Sequence, residues 1–118
     1  MIYLVKRPCE DLFNRFLESF TYVFDDRYPC VPGHKLFIPK EDNAHFVGRS
    51  YGMAYDYGKQ QVKEGNIAGF NIGMNIGLCA GQTIMWPHIH FIPRHEGDAE
   101  HHGGMRHAHP GADHKRYY

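Results

Sequence analysis

The stretch Gly69-Phe70-Asn71-Ile72-Gly73-Met74-Asn75-Ile76-Gly77-Leu78 alternates without a break. Gly69, Asn71, Gly73, Asn75 and Gly77 fall on one side, and Phe70, Ile72, Met74, Ile76 and Leu78 on the other. A period of two marks a strand, here over residues 69–77, with one apolar face and one small, polar face. After the turn Cys79-Ala80-Gly81 the chain reads QTIMWPHIHFIPR, a second strand over 82–92. Met85, Pro87, Ile89 and Phe91 share one face of it; Ile84, Trp86, His88 and His90 share the other. A hairpin that aligns the apolar faces pairs residues whose numbers sum to an odd value. A sum of 161 sets Gly73 opposite His88, Asn75 opposite Trp86 and Asn71 opposite His90. A glycine across from a histidine leaves room for a ligand. Pro87 donates no hydrogen bond, so its backbone faces outward or into a bulge.

The remaining elements are less sharply patterned. Met1 to Val5 reads as a short strand, and Lys35-Leu36-Phe37-Ile38 as another, closed by Pro39. Residues 10–24 are ambiguous: Leu12, Phe13, Phe16 and Leu17 fit a helical face, whereas Phe20 to Phe24 is aromatic and β-rich. Asn43 is the N-cap of the one long helical stretch, 44–64, with Phe46, Val47, Met53, Ala54, Tyr57 and Val62 as its apolar stripe. Gly48, Gly52 and Gly58 each weaken that helix by roughly 1 kcal/mol relative to alanine, so it is expected to lie close against a sheet or a partner.

Composition excludes several classes. A length of 118 residues predicts one domain able to bury its own core. Lys+Arg 13 against Asp+Glu 13 removes the basic footprint of a general nucleic-acid binder. No apolar run approaches the roughly 18 residues of a membrane span. The opening MIYLVKRPCEDL lacks the apolar core and cleavage site of a signal peptide. Cys9, Cys30 and Cys79 are scattered with no CxxC, which argues against a disulfide framework and a cysteine-based zinc site. A cytoplasmic location is the expectation. Histidine is the outlier: there are 10, and six of them (His95, His101, His102, His107, His109, His114) follow residue 94. Those six show no ligand spacing beyond His107-x-His109, and 95–118 reads as an irregular, His-rich tail.

His88-Ile89-His90 puts two imidazoles on one strand face, and three readings compete. The pair is solvent-facing, although Trp86 shares its face. It binds metal in a cupin-like pattern, although Glu96 comes too late and cupins lack a long helix. Or it performs phosphate chemistry, one histidine attacking and the other donating a proton or a hydrogen bond.

AGQTIMWPHIHFIPR resembles the signature of the histidine triad (HIT) nucleotide hydrolases and transferases, Gln-Ser/Thr-apolar-x-His-x-His-x-His followed by apolar residues and Pro-Arg. FDDRYPCVPGHKLFIPK resembles that family's upstream hallmark, an Asp or Asn, then Pro, then Gly/Thr-His and an apolar strand ending in Ile-Pro-Lys. GDAEHHGGMR is similar to the ending of some bacterial members, and the resemblance covers about 15–106. One position departs: Trp86 stands where the first triad histidine belongs, as in the bacterial diadenosine-tetraphosphate-hydrolase-like branch with Trp-Pro-His-x-His.

The resemblance implies an α+β fold, a five-stranded antiparallel sheet with one long helix and a shorter one, spanning 1–118 as a single domain and assembled as a homodimer. It reads residues 15–25 as a β-hairpin around Glu18-Ser19. It implies hydrolysis of a nucleoside polyphosphate, diadenosine tetraphosphate for example, or of a nucleoside phosphoramidate, through a covalent histidine–nucleotide intermediate. His88 takes the nucleophile's place, His90 that of the histidine on phosphate or leaving group, and His34 that of an additional active-site histidine. Asp26 matches the ribose-binding residue, with Asp25 beside it as a rival. Phe24 and Leu36 match the residues that sandwich the base, and Asn75, Gln82 and Thr83 those on the phosphates. Trp86 adds an apolar wall. Arg94 reads as a solvated strand end. No tightly bound cofactor or protein-held metal is implied; a divalent cation can accompany the substrate, an adenosine phosphate, and no membrane partner is expected. The rival reading is a nucleotide-binding module that has lost turnover through Trp86.

Overall fold

The structure, a computed structural model, describes residues 4–6 (backbone only), 20–99 and 103–112. Its order is β1 (Leu4–Lys6), β2 (Thr21–Asp26), β3 (Lys35–Pro39), α1 (Ala44–Lys63), β4 (Gly69–Gly73) and β5 (Ile89–Arg94), with short 3-10 turns at Leu78–Ala80 and Gly104–Ala108. The strands form one antiparallel sheet in the order β1-β2-β3-β5-β4. Among the described residues α1 is the one α-helix. The hairpin expected around Glu18-Ser19 and the ambiguous residues before it lie outside the described residues.

Helix α1 starts where its cap dictates: the Asn43 side-chain oxygen accepts from the Phe46 amide at 2.9 Å. The helix lies on one face of the sheet. Phe37, Ile89 and Phe91 from the sheet and Met53 and Ala54 from α1 form the buried core, with Val23, Val47, Tyr51, Tyr57, Phe70 and Ile72 packed around it. Val62, expected in the apolar stripe, is exposed instead. A buried Thr21–Ser50 hydroxyl pair at 2.6 Å ties β2 to the helix. Lys35, also buried, reaches Asp25 at 2.9 Å.

The helix glycines divide by environment. A β-carbon at Gly58 would sit 2.6 Å from the Phe70 ring, whereas at Gly48 or Gly52 it would meet nothing within 4 Å. The Phe70 ring cannot swing away freely because it stacks on Phe91 at 5.3 Å. Gly58→Ala is therefore expected to cost about 1–3 kcal/mol through overpacking despite alanine's better helix propensity. Gly48→Ala and Gly52→Ala are expected to add about 0.5–1 kcal/mol each. Urea unfolding of the three variants checks this; a stabilised Gly58→Ala contradicts the packing account.

The β4–β5 hairpin has the expected parity but not the expected register. Gly73 pairs with His90, Asn71 with Ile92 and Gly69 with Arg94. Gly73 is thus opposite His90 rather than His88, and Asn71 is not opposite His90. The Asn75–Trp86 pairing does not form, since both strands are shorter than expected and residues 74–88 make a loop. Three features halt the ladder. Pro87 has no N–H to donate. Gly77 and Gly81 take φ of 94° and 95°, which only glycine adopts readily. The Gln82 side chain captures the backbone inside the loop, accepting from Gly77 N–H at 2.8 Å and donating to the Ile84 and Met85 carbonyls at 3.2 and 3.0 Å.

Candidate functional site

Because Phe37, Ile89 and Phe91 point into the core under α1, their strand neighbours point to the opposite face. Register aligns them in rows. Phe24 pairs with Leu36, Leu36 with His90, and His90 with Gly73. One step toward the sheet's end lie Asp26 and His34, joined by an Asp26 N–H to His34 carbonyl bond of 3.0 Å. Asp25 points to the helix side and is committed to Lys35, which leaves Asp26 as the carboxylate of the site. Leu36 is buried and Phe24 half-buried.

His88 sits just before β5. Its Nδ1 is 2.9 Å from the Trp86 carbonyl oxygen. A carbonyl can only accept, so Nδ1 carries the proton and Nε2 presents a lone pair. That is the arrangement a nucleophilic imidazole needs. The His90 ring lies beside it, centroid to centroid 5.3 Å and nearly edge-on.

His34 and His90 form a second pair, with His34 Nε2 2.9 Å from His90 Nδ1. The Cys30 backbone N–H donates to His34 Nδ1 at 3.2 Å. Asp26 Oδ2 stands 3.3 Å from His34 Nε2 and 3.9 Å from His90 Nδ1. Its Oδ1 accepts from the Tyr28 N–H at 2.8 Å. One ligand atom each from Asp26, His34 and His90 lies within 4.8 Å of the others, a spacing a metal ion can bridge.

Burial holds both histidines below the ordinary value of 6.5. In His34 the Asp26 carboxylate opposes the shift; in His90 the neighbouring His34 and His88 add to it and Asp26 opposes. The unfolded chain therefore binds more protons than the folded one between the lowered values and about 6.5, and stability rises with pH across that window. The contribution is full above about pH 6.5 and is lost as pH falls below it. The melting temperature is expected to be lower at pH 5 than at pH 7.5, and the drop to shrink in His90→Gln. An equal drop in that variant contradicts the assignment.

The other expected contacts scatter. Gln82 is buried and occupied with its own loop, so it shapes the 77–85 backbone instead of facing the histidines. Asn75 and Thr83 are exposed, with Asn75 beside Gly81. Trp86 is 44% exposed, and its indole N–H donates to the Pro39 carbonyl at 2.9 Å, anchoring the ring at the end of β3. Arg94 ends β5 with its side chain 36% exposed, as expected, and it is also paired. It pairs with both Asp98 oxygens, at 2.9 and 2.8 Å, and with Asn71 at 2.8 Å. These bonds, with one from the His95 N–H, hold the Asp98 carboxyl at about 2.

Sequence reasoning missed the Cys30 and Tyr28 amides. Their signal was the turn-forming run between Asp26 and His34, with Pro29, Pro32 and Gly33. It also missed Met105, whose thioether comes within 3.8 Å of where a Gly73 β-carbon would stand. Among the described residues Cys30 and Cys79 are free, and no helix is long and apolar enough to cross a membrane. An open sheet with one long helix on it leaves no place for the cupin-like reading.

No family model matches the chain. An uncharacterized HIT-like protein of Methanocaldococcus jannaschii is 34% identical over 89 residues, covering 70% of this chain and 69% of that one. An adenylylsulfatase of Arabidopsis thaliana is 32% identical over 98 residues, 77% of this chain but 48% of the plant protein, so the chain spans about half of that relative. In fold it is similar to a zinc-bound histidine triad family protein from Mycobacterium smegmatis, with a TM-score of 0.63 and 24% identity over 83% of this chain and 69% of that one. The M. jannaschii relative and the two motifs on one sheet face lead to the same place: the chain belongs to the HIT-like, histidine triad family.

Proposed function

We propose that the protein is a nucleotide hydrolase that attacks the α-phosphorus of a nucleoside polyphosphate, such as a dinucleoside polyphosphate, or of a nucleoside phosphoramidate. The observation that carries this is the His88 Nδ1 to Trp86 carbonyl bond of 2.9 Å, which leaves Nε2 as an unprotonated nucleophile beside His90. An Nε2–P bond forms as the bond to the leaving group breaks, and the leaving group departs with the electron pair. His90 steadies the departing atom with a hydrogen bond from its ring N–H, and any proton that atom needs comes from solvent. Water then attacks phosphorus, the N–P bond breaks with its electron pair returning to His88 Nε2, and the proton released passes to solvent. Phe24 and Leu36 bound the base, and Asp26 binds the ribose through whatever capacity Tyr28 leaves free. Asn75 and Thr83, exposed on the loop, reach the leaving-group phosphates. An adenylylsulfatase among the relatives supports an adenylyl group as the part bound. The same reading takes 1–118 as one domain in the cytoplasm, with 95–118 as a His-rich tail, and as a homodimer using α1 and the open edge of β4; a monomer in light scattering at tens of micromolar contradicts the dimer.

The test is a hydrolysis assay on diadenosine tetraphosphate and an adenosine phosphoramidate, on wild type and Trp86→His. The tautomer of His88 is fixed by the backbone of residue 86, whatever its side chain. Trp86→His is therefore expected to shift leaving-group preference by about 1–3 kcal/mol without creating the activity. A wild-type protein that binds AMP and turns over neither substrate, with activity appearing only in Trp86→His, establishes the non-catalytic binding module instead.

A further inference from the structure

Asp26, His34 and His90 resemble a two-histidine, one-carboxylate metal site. Their separations of 2.9, 3.3 and 3.9 Å define a triangle whose corners are all about 2.0 Å from one interior point, the length of a zinc–nitrogen or zinc–oxygen bond. Spacing alone would accept an ion. The surroundings of His34 do not.

A metal on His34 Nε2 needs the other ring nitrogen to carry the proton and donate it outward, as metal-bound histidines nearly always do. Here that nitrogen faces a donor, the Cys30 N–H, at 3.2 Å. Two N–H groups cannot point at each other at that distance. Nδ1 is therefore the lone-pair nitrogen, and in the neutral ring the proton sits on Nε2. The Asp26 carboxylate 3.3 Å from Nε2 favours a proton at the same place. The Nε2–H then points at His90 Nδ1, 2.9 Å away, which must be an acceptor. Neutral His90 in turn carries its proton on Nε2.

We propose that the Cys30 backbone amide is a tautomer lock: acting through His34 as a positioning residue, it fixes His90 as an Nε2–H donor and keeps the Asp26–His34–His90 cluster from serving as a metal site. The inference rests on the hydrolase reading only for what the donor is used on; the tautomers themselves do not depend on it. His88 and His90 thereby carry opposite tautomers side by side. One is held Nδ1–H by the Trp86 carbonyl and is a nucleophile, and the other is held Nε2–H by His34 and is a donor. Burial, which keeps His34 and His90 neutral, maintains the lock at neutral pH.

The test is long-range proton–nitrogen correlation spectroscopy of the imidazoles at pH 7.5 in the whole protein without nucleotide. The expected result is His34 and His90 protonated on Nε2 and His88 on Nδ1, with no stoichiometric change at His34 or His90 when equimolar zinc is added. His34 or His90 protonated on Nδ1, or one-to-one saturation of both by zinc, overturns the proposal while leaving hydrolysis by His88 untouched. Two variants separate positioning from packing. His34→Ala is expected to leave His90 as a mixture of tautomers and to lower kcat on the order of 10²-fold. His34→Gln, which returns an N–H donor near the position of Nε2, is expected to restore the single His90 tautomer and most of kcat. A His90 tautomer that stays pure in His34→Ala also overturns it.

Discussion

His88→Ala is expected to lower the rate of nucleotide hydrolysis by many orders of magnitude while nucleotide affinity survives. Removing a positioning contact costs about 10²–10³ in rate, but among the described residues no other group presents an unprotonated nitrogen in the same place. His90 cannot substitute, since its Nδ1 is engaged by His34 at 2.9 Å. Binding is spared because the residues assigned to base and ribose, Phe24, Leu36 and Asp26, lie on β2 and β3, and His88 precedes β5. Steady-state kinetics with calorimetry on AMP checks both halves. A variant retaining more than about a tenth of the wild-type rate contradicts nucleophilic catalysis by His88.

Phe91→Ala is expected to destabilise the protein by about 3–5 kcal/mol, a large part of the 5–15 kcal/mol typical of a domain. Phe91 is 1% exposed. It stacks on Phe70 at 5.3 Å, meets Tyr57 edge-on at 5.0 Å and lies 6.2 Å from Phe37. It therefore joins α1, β3 and β4 through one ring, and it is the immediate neighbour of His90 on β5. The loss reaches the site, because the core beneath β5 sets the height at which His90 stands above the sheet. Guanidinium unfolding measures the effect, and a loss under about 1 kcal/mol contradicts the packing described.

Where local chemistry decided the structure, the sequence was readable. The alternation of 69–78 yielded the two faces of β4, and the Asn43 cap yielded the start of α1 to the residue. Tertiary hydrogen bonding was not readable. The hairpin register slipped by two residues because Gln82 folds its amide into the loop backbone, a choice that no periodicity records. Arg94 found Asp98 and Asn71 through the turn at 95–98. The helix glycines looked alike in sequence, yet only Gly58 meets an aromatic ring. Within the site, His34, His88 and His90 could be named from spacing. Their tautomers required the positions of the Cys30 amide and the Trp86 carbonyl.

The central claim is a covalent bond between nucleotide and His88 Nε2. Wild-type protein mixed with excess adenosine phosphoramidate or diadenosine tetraphosphate, quenched within the first turnover in alkaline denaturant, digested and analysed by tandem mass spectrometry, tests it directly. The predicted result is an AMP-bearing peptide with the adduct on His88, absent from His88→Ala. Turnover to AMP with no adduct at any quench time, or with the adduct on His90 or His34, contradicts the account.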